Sequence, residues 1–497
     1  MSPKDRRSGQ AKLGNSALAI TLCKVAAMVI AMAAGMMMAR FRTLEENGTL
    51  SQLQMAVTLM SSLLLLGLPN SLNYFITRAE DAEERKSFLS VYYSLSTILG
   101  VTVGIVLVSI TPYIESYFNN PMISAFLYYL AVFPLTTVIQ GSIENLMIAY
   151  GRTAGMIIFR IAHSVCYLSI VLLVQILHGN FSDFMRSYII FETISALVVY
   201  YLAFRLSGGL RFSLNGAMLR RILAYSVPIG LSTVLGTLDI EMDKLIIGRF
   251  FTTEQMGLYS YAARELPVHI ATAALTAVLL PQMARLMKKG EKQQAIKLWS
   301  DAIFISMSIM ALISIGCFVY APDVITLLYS EKYLPGVTVF RIYSLVLLLR
   351  CTYFGIVLNT TGNTRFIMYS SIAALGLNLV LNVLFYELFG FTGPAIATLL
   401  SIFIINMAQL VFSAKILGMP LSKIFPWKYC ALLIGINAAL GAAFFYIKKL
   451  IGLEAYLGEQ WESVALGVMW GIVYVIILLR PLKKHWKGLN SSSLEIV

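Results

Sequence analysis

The sequence predicts an all-α polytopic membrane protein of about fourteen transmembrane helices, arranged as two pseudo-symmetric six-helix bundles around a central cavity plus two C-terminal helices. Three observations support this prediction: the composition, the recurrence of apolar stretches, and an internal repeat. Of the 497 residues, 58% are hydrophobic and 13% are charged, and the mean hydropathy is +0.77. A soluble domain carries about 25% charged residues. The polar residues are therefore too few to cover a surface that faces water.

Apolar stretches of bilayer-spanning length, roughly 20 residues or more, recur along the whole chain. The first is too long and uninterrupted for a cleaved signal peptide, so we expect it to remain as a helix. The predicted spans are 14–39, 50–76, 87–112, 122–147, 154–178, 184–206, 222–248, 256–284, 295–320, 335–360, 365–388, 391–416, 428–447 and 460–480.

The net charge of +13 is distributed unevenly between the two sides of this predicted topology. With the N-terminus in the cytoplasm, cytoplasmic segments hold about 25 Lys and Arg residues and external segments hold about 7. This positive-inside bias predicts that both termini are cytoplasmic. The basic excess is thus explained by topology and by contact with membrane lipid, and no nucleic-acid partner is expected.

An internal repeat divides the chain. Residues 39–51 (ARFRTLEENGTLS) and 248–260 (GRFFTTEQMGLYS) align without a gap and share Arg, Phe, Thr, Glu, Gly and Ser. Residues 151–153 (GRT) match 362–364 (GNT) at nearly the same offset. Six spans per repeat preserve orientation, so we expect parallel repeats that rock to open a cavity on alternate sides. The predicted division is 1–210 for the first bundle, 211–420 for the second, and 421–497 for two further helices and a basic tail.

Ionisable residues inside the spans are costly and need a partner, a cavity or a route to the interface. Glu144, Arg160 and Asp301 lie within about two turns of a cytoplasmic end and are expected to reach the interface. Five ionisable residues lie deeper in their spans and are harder to explain by contact with the interface: Lys24, Glu192, Arg264, Glu265 and Arg350. Pro267 follows Arg264 and Glu265 closely and predicts a kink that lines a cavity.

Oxygen-bearing side chains on spans seven, eleven and twelve form a candidate coupling-cation site. They are Asp243, Asn378, Asn382 and Thr398. Oxygen ligands suit Na⁺, and a carboxylate also suits a proton. Two other interpretations stay open: hydrogen bonding between helices by Asn and Thr, and an ion pair between Asp243 and Arg264.

The sequence gives no sign of an enzyme. The four histidines are dispersed, and no Gly-rich phosphate loop ending in Lys-Ser or Lys-Thr is present, so an ATP-driven pump is not expected. The five cysteines lie inside apolar spans without a C-x-x-C spacing and are expected to be buried hydrophobes, not metal ligands. No cofactor is predicted beyond a coupling Na⁺ or H⁺.

Several segments resemble one transporter family. The segments are PIG (228–230), DKLIIGRF (243–250), GLYSYA (257–262), LNLVLN (377–382) and FGFTGPAIAT (389–398). They resemble the polysaccharide flippases of the multidrug/oligosaccharidyl-lipid/polysaccharide exporter superfamily, over about residues 12–480. The resemblance implies transport of an undecaprenyl-pyrophosphate-linked oligosaccharide from the inner to the outer leaflet of the bacterial cytoplasmic membrane. It also implies a polysaccharide polymerase or glycosyltransferases as partners.

The resemblance also implies roles for particular residues. Related lipid II flippases carry arginines on helices one, two and eight that are thought to meet the pyrophosphate. Lys24 and Arg264 match two of these positions, whereas Gln52, Gln54 and Met55 occupy the neighbourhood of the third. This departure favours a lipid-linked glycan other than lipid II. With Arg350, these cations form the predicted pyrophosphate-binding set. The same relatives place a cation site on helices seven, eleven and twelve.

Two alternatives remain at this stage. A multidrug and toxin antiporter of the same superfamily would carry cationic drugs, and its cavity should be acidic or neutral. A non-transporting helper of a polysaccharide synthase would have a sealed interface between its bundles.

Overall fold

The chain is built from helices. In the computed structural model the described residues are 23–65, 67–266, 268–451 and 458–494, and every regular element among them is helical. The α-helices are α1 (Cys23–Phe41), α2 (Leu44–Leu65), α3 (Leu68–Arg78), α4 (Ala82–Ser109), α5 (Thr111–Phe118), α6 (Leu127–Gly141), α7 (Ile143–Ala149), α8 (Thr153–Ile176), α9 (Phe181–Ser207), α10 (Gly216–Phe250), α11 (Thr253–Ala262), α12 (His269–Lys288), α13 (Lys292–Val319), α14 (Ala321–Leu328), α15 (Val337–Leu349), α16 (Ile356–Thr360), α17 (Thr364–Phe389), α18 (Gly393–Leu417), α19 (Leu421–Ile424), α20 (Trp427–Ile451) and α21 (Glu459–Leu494). Short 3₁₀ helices cover Pro121–Phe126, Glu331–Gly336 and Gly390–Thr392.

The all-α membrane fold predicted from the sequence is confirmed. Eleven helical segments among the described residues are long and apolar enough to cross a bilayer. One of them, Thr364–Leu417, contains both α17 and α18, each long enough to cross by itself. The count of fourteen stays a prediction, and residues 14–22 of the first predicted span lie outside the described residues.

The order of elements occurs twice along the chain, which supports the predicted repeat. Helices α1 to α9 are followed by α10 to α18, which correspond in order, although α2 is longer than α3 whereas α11 is shorter than α12. Helices α4 and α13 both contain 28 residues, and α5 and α14 both contain 8 with a proline in the first turn. A first-turn proline fits a helix because its missing N–H would have no intrahelical acceptor. A 3₁₀ helix of 6 residues follows in each case.

The second and fourth spans of each repeat are interrupted. The sequence predicts one span each over 50–76, 122–147, 256–284 and 335–360, and the structure interrupts the helix within each of them. The chain breaks between α2 and α3 at Gly67, whose φ of 70° is left-handed, and between α6 and α7 at Ser142. It also breaks between α11 and α12 and between α15 and α16. Pro267, for which the sequence predicts a kink, lies outside the described residues. Non-helical backbone at membrane depth persists only where protein or a watery cavity satisfies its polar groups.

Two compact units divide the chain. The first contains the residues up to Glu241 together with Gly248–Gly257, and the second contains Met242–Ile247 and the residues from Leu258 onward. The core of the first unit includes Phe88, Tyr92 and Ile139, and that of the second includes Trp299 and Trp470. The three-part division at 210 and 420 stays a prediction.

The glycines matched in the sequence repeat permit a close helix contact within the first unit. A Cβ on Gly48 of α2 would lie 1.9 Å from the carbonyl oxygen of Thr253, and a Cβ on Gly257 of α11 would lie 2.1 Å from that of Leu44. Any larger residue would force the two backbones apart. Small residues serve this purpose widely in membrane helix packing.

The last two long helices are attached to the second unit by buried polar contacts. Lys448 of α20 and Ser463 of α21 both donate hydrogen bonds to Asp323 of α14, each at 2.8 Å. His485 Nδ1 of α21 lies 2.6 Å from Asp301 Oδ1 of α13. Both side chains of this second pair are nearly buried, at 8% and 11% exposure. Asp301 is thus paired inside the protein, a contact that its position near a span end did not reveal.

We expect His485→Phe to destabilise the protein by about 3–5 kcal/mol, because it leaves the Asp301 carboxylate buried without its partner. The aromatic ring should preserve the stacking on Phe304, whose centroid lies 4.1 Å from that of His485. The thermal midpoint of the purified protein in detergent measures the effect. The double variant Asp301→Leu/His485→Leu should recover most of the loss, because it removes both polar partners. A midpoint of His485→Phe equal to that of the wild type would contradict the prediction.

Candidate functional site

A three-residue charge cluster lies in the first unit. Glu144, the second residue of α7, contacts two cations: Lys24 Nζ lies 2.6 Å from its Oε1, and Arg160 Nη2 lies 2.5 Å from its Oε2. Lys24 comes from α1 and Arg160 from α8, so three helices meet at one carboxylate. Lys24 was predicted from the sequence as a substrate-binding cation. Glu144 and Arg160 were not predicted to do so, because they lie close to a predicted span end and were expected to reach the interface.

Glu192, in the middle of α9, is buried at 5% exposure. Its carboxylate accepts a hydrogen bond from the Gln140 side chain of α6, and its Oε1 lies 3.4 Å from His163 Nε2 of α8. The same Gln140 amide also reaches the Glu192 backbone carbonyl at 3.1 Å. These partners offset the cost that an isolated carboxylate would meet at this depth.

In the second unit, Arg350 is bound to Glu265. Arg350 Nη2 lies 2.7 Å from Glu265 Oε1. The sequence places Arg350 in the middle of a span, and the structure shows a break at that point: α15 ends at Leu349, and the chain is non-helical until α16 begins at Ile356. Glu265 lies in the break between α11 and α12. One ion pair therefore joins two interrupted spans.

Arg264 occupies the same break as Glu265. The sequence predicts it about two turns inside a helix, whereas α11 ends at Ala262 and Arg264 follows in non-helical chain. Its side chain is exposed. The alternative ion pair between Asp243 and Arg264 is not present in the described part of the chain.

Asp243 is instead held by two tyrosines of the second unit. It is buried at 3% exposure, and its Oδ2 accepts hydrogen bonds from Tyr259 of α11, at 3.1 Å, and from Tyr343 of α15. Thr398, another member of the predicted cation site, lies on α18, and its side chain makes no hydrogen bond to Asp243 among the described residues. Sequence reasoning missed both tyrosines, since aromatic residues are common throughout these spans.

The other two members, Asn378 and Asn382 of α17, contact each other. Asn382 Nδ2 donates to Asn378 Oδ1 at 2.8 Å and to the Asn378 backbone oxygen at 2.9 Å. Both residues are buried, at 2% and 0% exposure. The Oδ1 atom of Asn382 is buried and has no hydrogen-bond partner among the described residues. An unsatisfied buried acceptor of this kind could contribute one oxygen to a cation.

An apolar cavity of about 770 Å³ also lies in the second unit. Its walls come from α15, α17, α18 and α20, and they include Leu345, Phe389, Phe403 and Ile434. Asn406 contributes an amide to an otherwise hydrophobic lining, and this amide donates to the Leu349 carbonyl at 3.1 Å. Such a lining suits a hydrocarbon chain better than a sugar.

The chain matches one protein family and several known proteins. The family described as "Polysaccharide biosynthesis protein" matches residues 37–338. The chain is 24% identical over 271 residues to a protein of Haloferax volcanii described as "Probable low-salt glycan biosynthesis flippase Agl15". That match covers 53% of this chain and 56% of the relative, so the chain spans little more than half of the relative's length.

Solved structures share the fold. A lipid II flippase, MurJ, in an inward closed conformation superposes with a TM-score of 0.69 at 13% identity, covering 93% of this chain and 99% of that one. An inward-facing multidrug transporter of the MATE family superposes with a TM-score of 0.61 at 16% identity, covering 79% and 94%. At these identities the likeness establishes the fold of this chain.

Proposed function

This chain belongs to the family of polysaccharide biosynthesis membrane proteins, and from that premise we propose that it is a flippase for an undecaprenyl-pyrophosphate-linked oligosaccharide. It moves this lipid from the cytoplasmic to the outer leaflet by alternating access. Its site of action is the bacterial cytoplasmic membrane, with both termini in the cytoplasm. A polysaccharide polymerase or glycosyltransferases supply or consume the glycan beside it.

The observation that carries the proposal is the set of cations within apolar spans: Lys24, Arg264 and Arg350. A pyrophosphate carries at least two negative charges and cannot cross hydrocarbon without compensation. Guanidinium and ammonium groups supply that compensation and bind phosphate oxygens directly. A cationic drug would be repelled by the same groups, so these residues argue against a multidrug antiporter. The prenyl chain stays in apolar surroundings, for which the cavity beside α18 and α20 is a candidate.

Asp243, Asn378, Asn382 and Thr398 are proposed to bind the coupling ion, Na⁺ or H⁺. The buried carboxylate and the buried unsatisfied amide oxygen of Asn382 support this assignment. An ion gradient would then supply the bias that returns the empty carrier to its inward-facing state.

Transport in proteoliposomes tests the proposal. The substrate is a disaccharide on undecaprenyl pyrophosphate with a fluorophore on the sugar, and an impermeant quencher reports the leaflet in which the sugar lies. We expect the protein to accelerate translocation over protein-free vesicles. The same disaccharide on undecaprenyl monophosphate is the matched control and should move more slowly, because it offers fewer charges to the cations. Equal rates with and without protein would reject the function.

A further inference from the structure

The cluster of Lys24, Glu144 and Arg160 has the composition of an anion site that already contains an anion. Two cations from different helices contact the two oxygens of one carboxylate. The cluster therefore carries a net charge of one positive unit. A phosphate group also presents neighbouring oxygens to which an ammonium and a guanidinium can each donate.

We propose that Glu144 is an internal counter-ion that holds Lys24 and Arg160 in place of the substrate pyrophosphate and is displaced when that pyrophosphate binds. Arg160 thereby becomes a substrate-binding residue beside Lys24. The identity of the anion rests on the proposed function, whereas the exchange of one anion for another rests on the geometry of the cluster.

Accessibility favours the exchange. The side chains of Lys24 and Arg160 are 45% and 40% exposed, whereas that of Glu144 is 20% exposed. The cations are thus the more accessible members of the cluster, and their exposed surface is available to an incoming anion while Glu144 is still bound.

The cations also retain donors that Glu144 does not use. An arginine has five N–H donors, and a lysine has three. A phosphate offers more acceptor oxygens than a carboxylate and can therefore accept from donors of both cations that Glu144 leaves unused.

The charge balance explains why a carrier benefits from such an arrangement. Without Glu144, the empty protein would expose two uncompensated cations within its spans, which is costly. With a pyrophosphate bound, the two cations face at least two negative charges and are again compensated. Because the substrate must compete with Glu144, it is bound less tightly than by two free cations, and its release on the far side is easier.

The second unit repeats the principle with other residues. Glu265 binds Arg350 at 2.7 Å, and Arg350 is another cation predicted to contact pyrophosphate. Each unit therefore contains a glutamate whose carboxylate forms an ion pair with a candidate phosphate-binding cation. The two pairs lie at different positions in the repeat, so the arrangement is not a mere consequence of the shared fold.

Binding of inorganic pyrophosphate to the purified full-length protein tests the inference, with titration calorimetry as the readout. Glu144→Gln keeps the shape of the side chain and removes its charge, and it should bind pyrophosphate about tenfold more tightly than the wild type. Arg160→Gln should bind it at least about tenfold more weakly. The matched control is Glu84→Gln, which removes a carboxylate 3.7 Å from Arg221 in the same unit and should leave the affinity unchanged.

Unchanged or weakened binding by Glu144→Gln, in protein that melts like the wild type, would overturn the inference. Phosphatidylglycerol in the detergent micelles, at a phosphate concentration equal to that of pyrophosphate, should lower the measured pyrophosphate binding only slightly. Loss of pyrophosphate binding in its presence would assign the site to membrane lipid and would also overturn the inference. The proposed function can fail separately. If the wild-type protein binds pyrophosphate as described but moves no lipid-linked glycan, the anion site stands and the flippase function is rejected.

Discussion

Replacing Arg264 or Lys24 with alanine is expected to lower translocation of the lipid-linked glycan about 10- to 100-fold, because each change removes charge-assisted hydrogen bonds worth about 1.5–3 kcal/mol. Lys24 leaves behind a balanced pair, Glu144 with Arg160, so its loss should not unfold the first unit. Arg264 is exposed in non-helical chain, and its truncation removes little packing. The proteoliposome assay with the pyrophosphate-linked disaccharide measures both variants.

Charge-preserving variants sharpen this prediction. Lys24→Arg and Arg264→Lys retain the positive charge and should keep a substantial part of the transport rate. Arg341→Ala is the control for removal of an arginine from the second unit; Arg341 donates to the Phe318 carbonyl at 3.2 Å and packs its guanidinium over the Phe318 ring. Near-normal transport by both alanine variants, with correct insertion, would remove these residues from the mechanism.

Asp243→Asn is expected to abolish the dependence of transport on an ion gradient. Asparagine has nearly the same volume and can still accept hydrogen bonds from Tyr259 and Tyr343, but it carries no charge with which to hold Na⁺ or to exchange a proton. The rate in an imposed Na⁺ or pH gradient should fall to the rate measured without a gradient. Proteoliposomes loaded with different salts and buffers distinguish the two ions.

Tyr343→Phe provides the comparison for this variant. It removes one hydrogen bond to Asp243 while leaving the carboxylate in place. We expect it to weaken the response to the gradient without eliminating it. A full response by Asp243→Asn would show that the coupling ion binds elsewhere.

The sequence predicted the class of fold, the repeat and the residues that carry charge, because these depend on composition and on spacing. Arg264, Lys24 and Asp243 stand out in any apolar span. The sequence could not predict their partners. Glu144 lies 120 residues from Lys24 in the chain, and Tyr343 lies 100 residues from Asp243, so nothing in local periodicity connects them.

The helix breaks at Ser142 and after Leu349 were also beyond sequence reasoning. Position 267 gave a signal for the interruption before α12, whereas Ser142 and the chain after Leu349 carry neither a proline nor a charge pattern specific to a break. An apolar stretch of spanning length predicts a crossing of the membrane. It does not reveal whether the backbone hydrogen bonds continue through the crossing, which depends on neighbouring helices.

The interruption of the second span in each repeat bears on how the chain is made. Helix α11 contains 10 residues and is about 15 Å long, half the thickness of the hydrocarbon layer. During synthesis this helix is too short to cross the hydrocarbon layer alone, so we expect its C-terminal end to stay within the layer until α12 has been made. We therefore expect insertion of this span to depend on the preceding helices until the chain has been extended past Lys288.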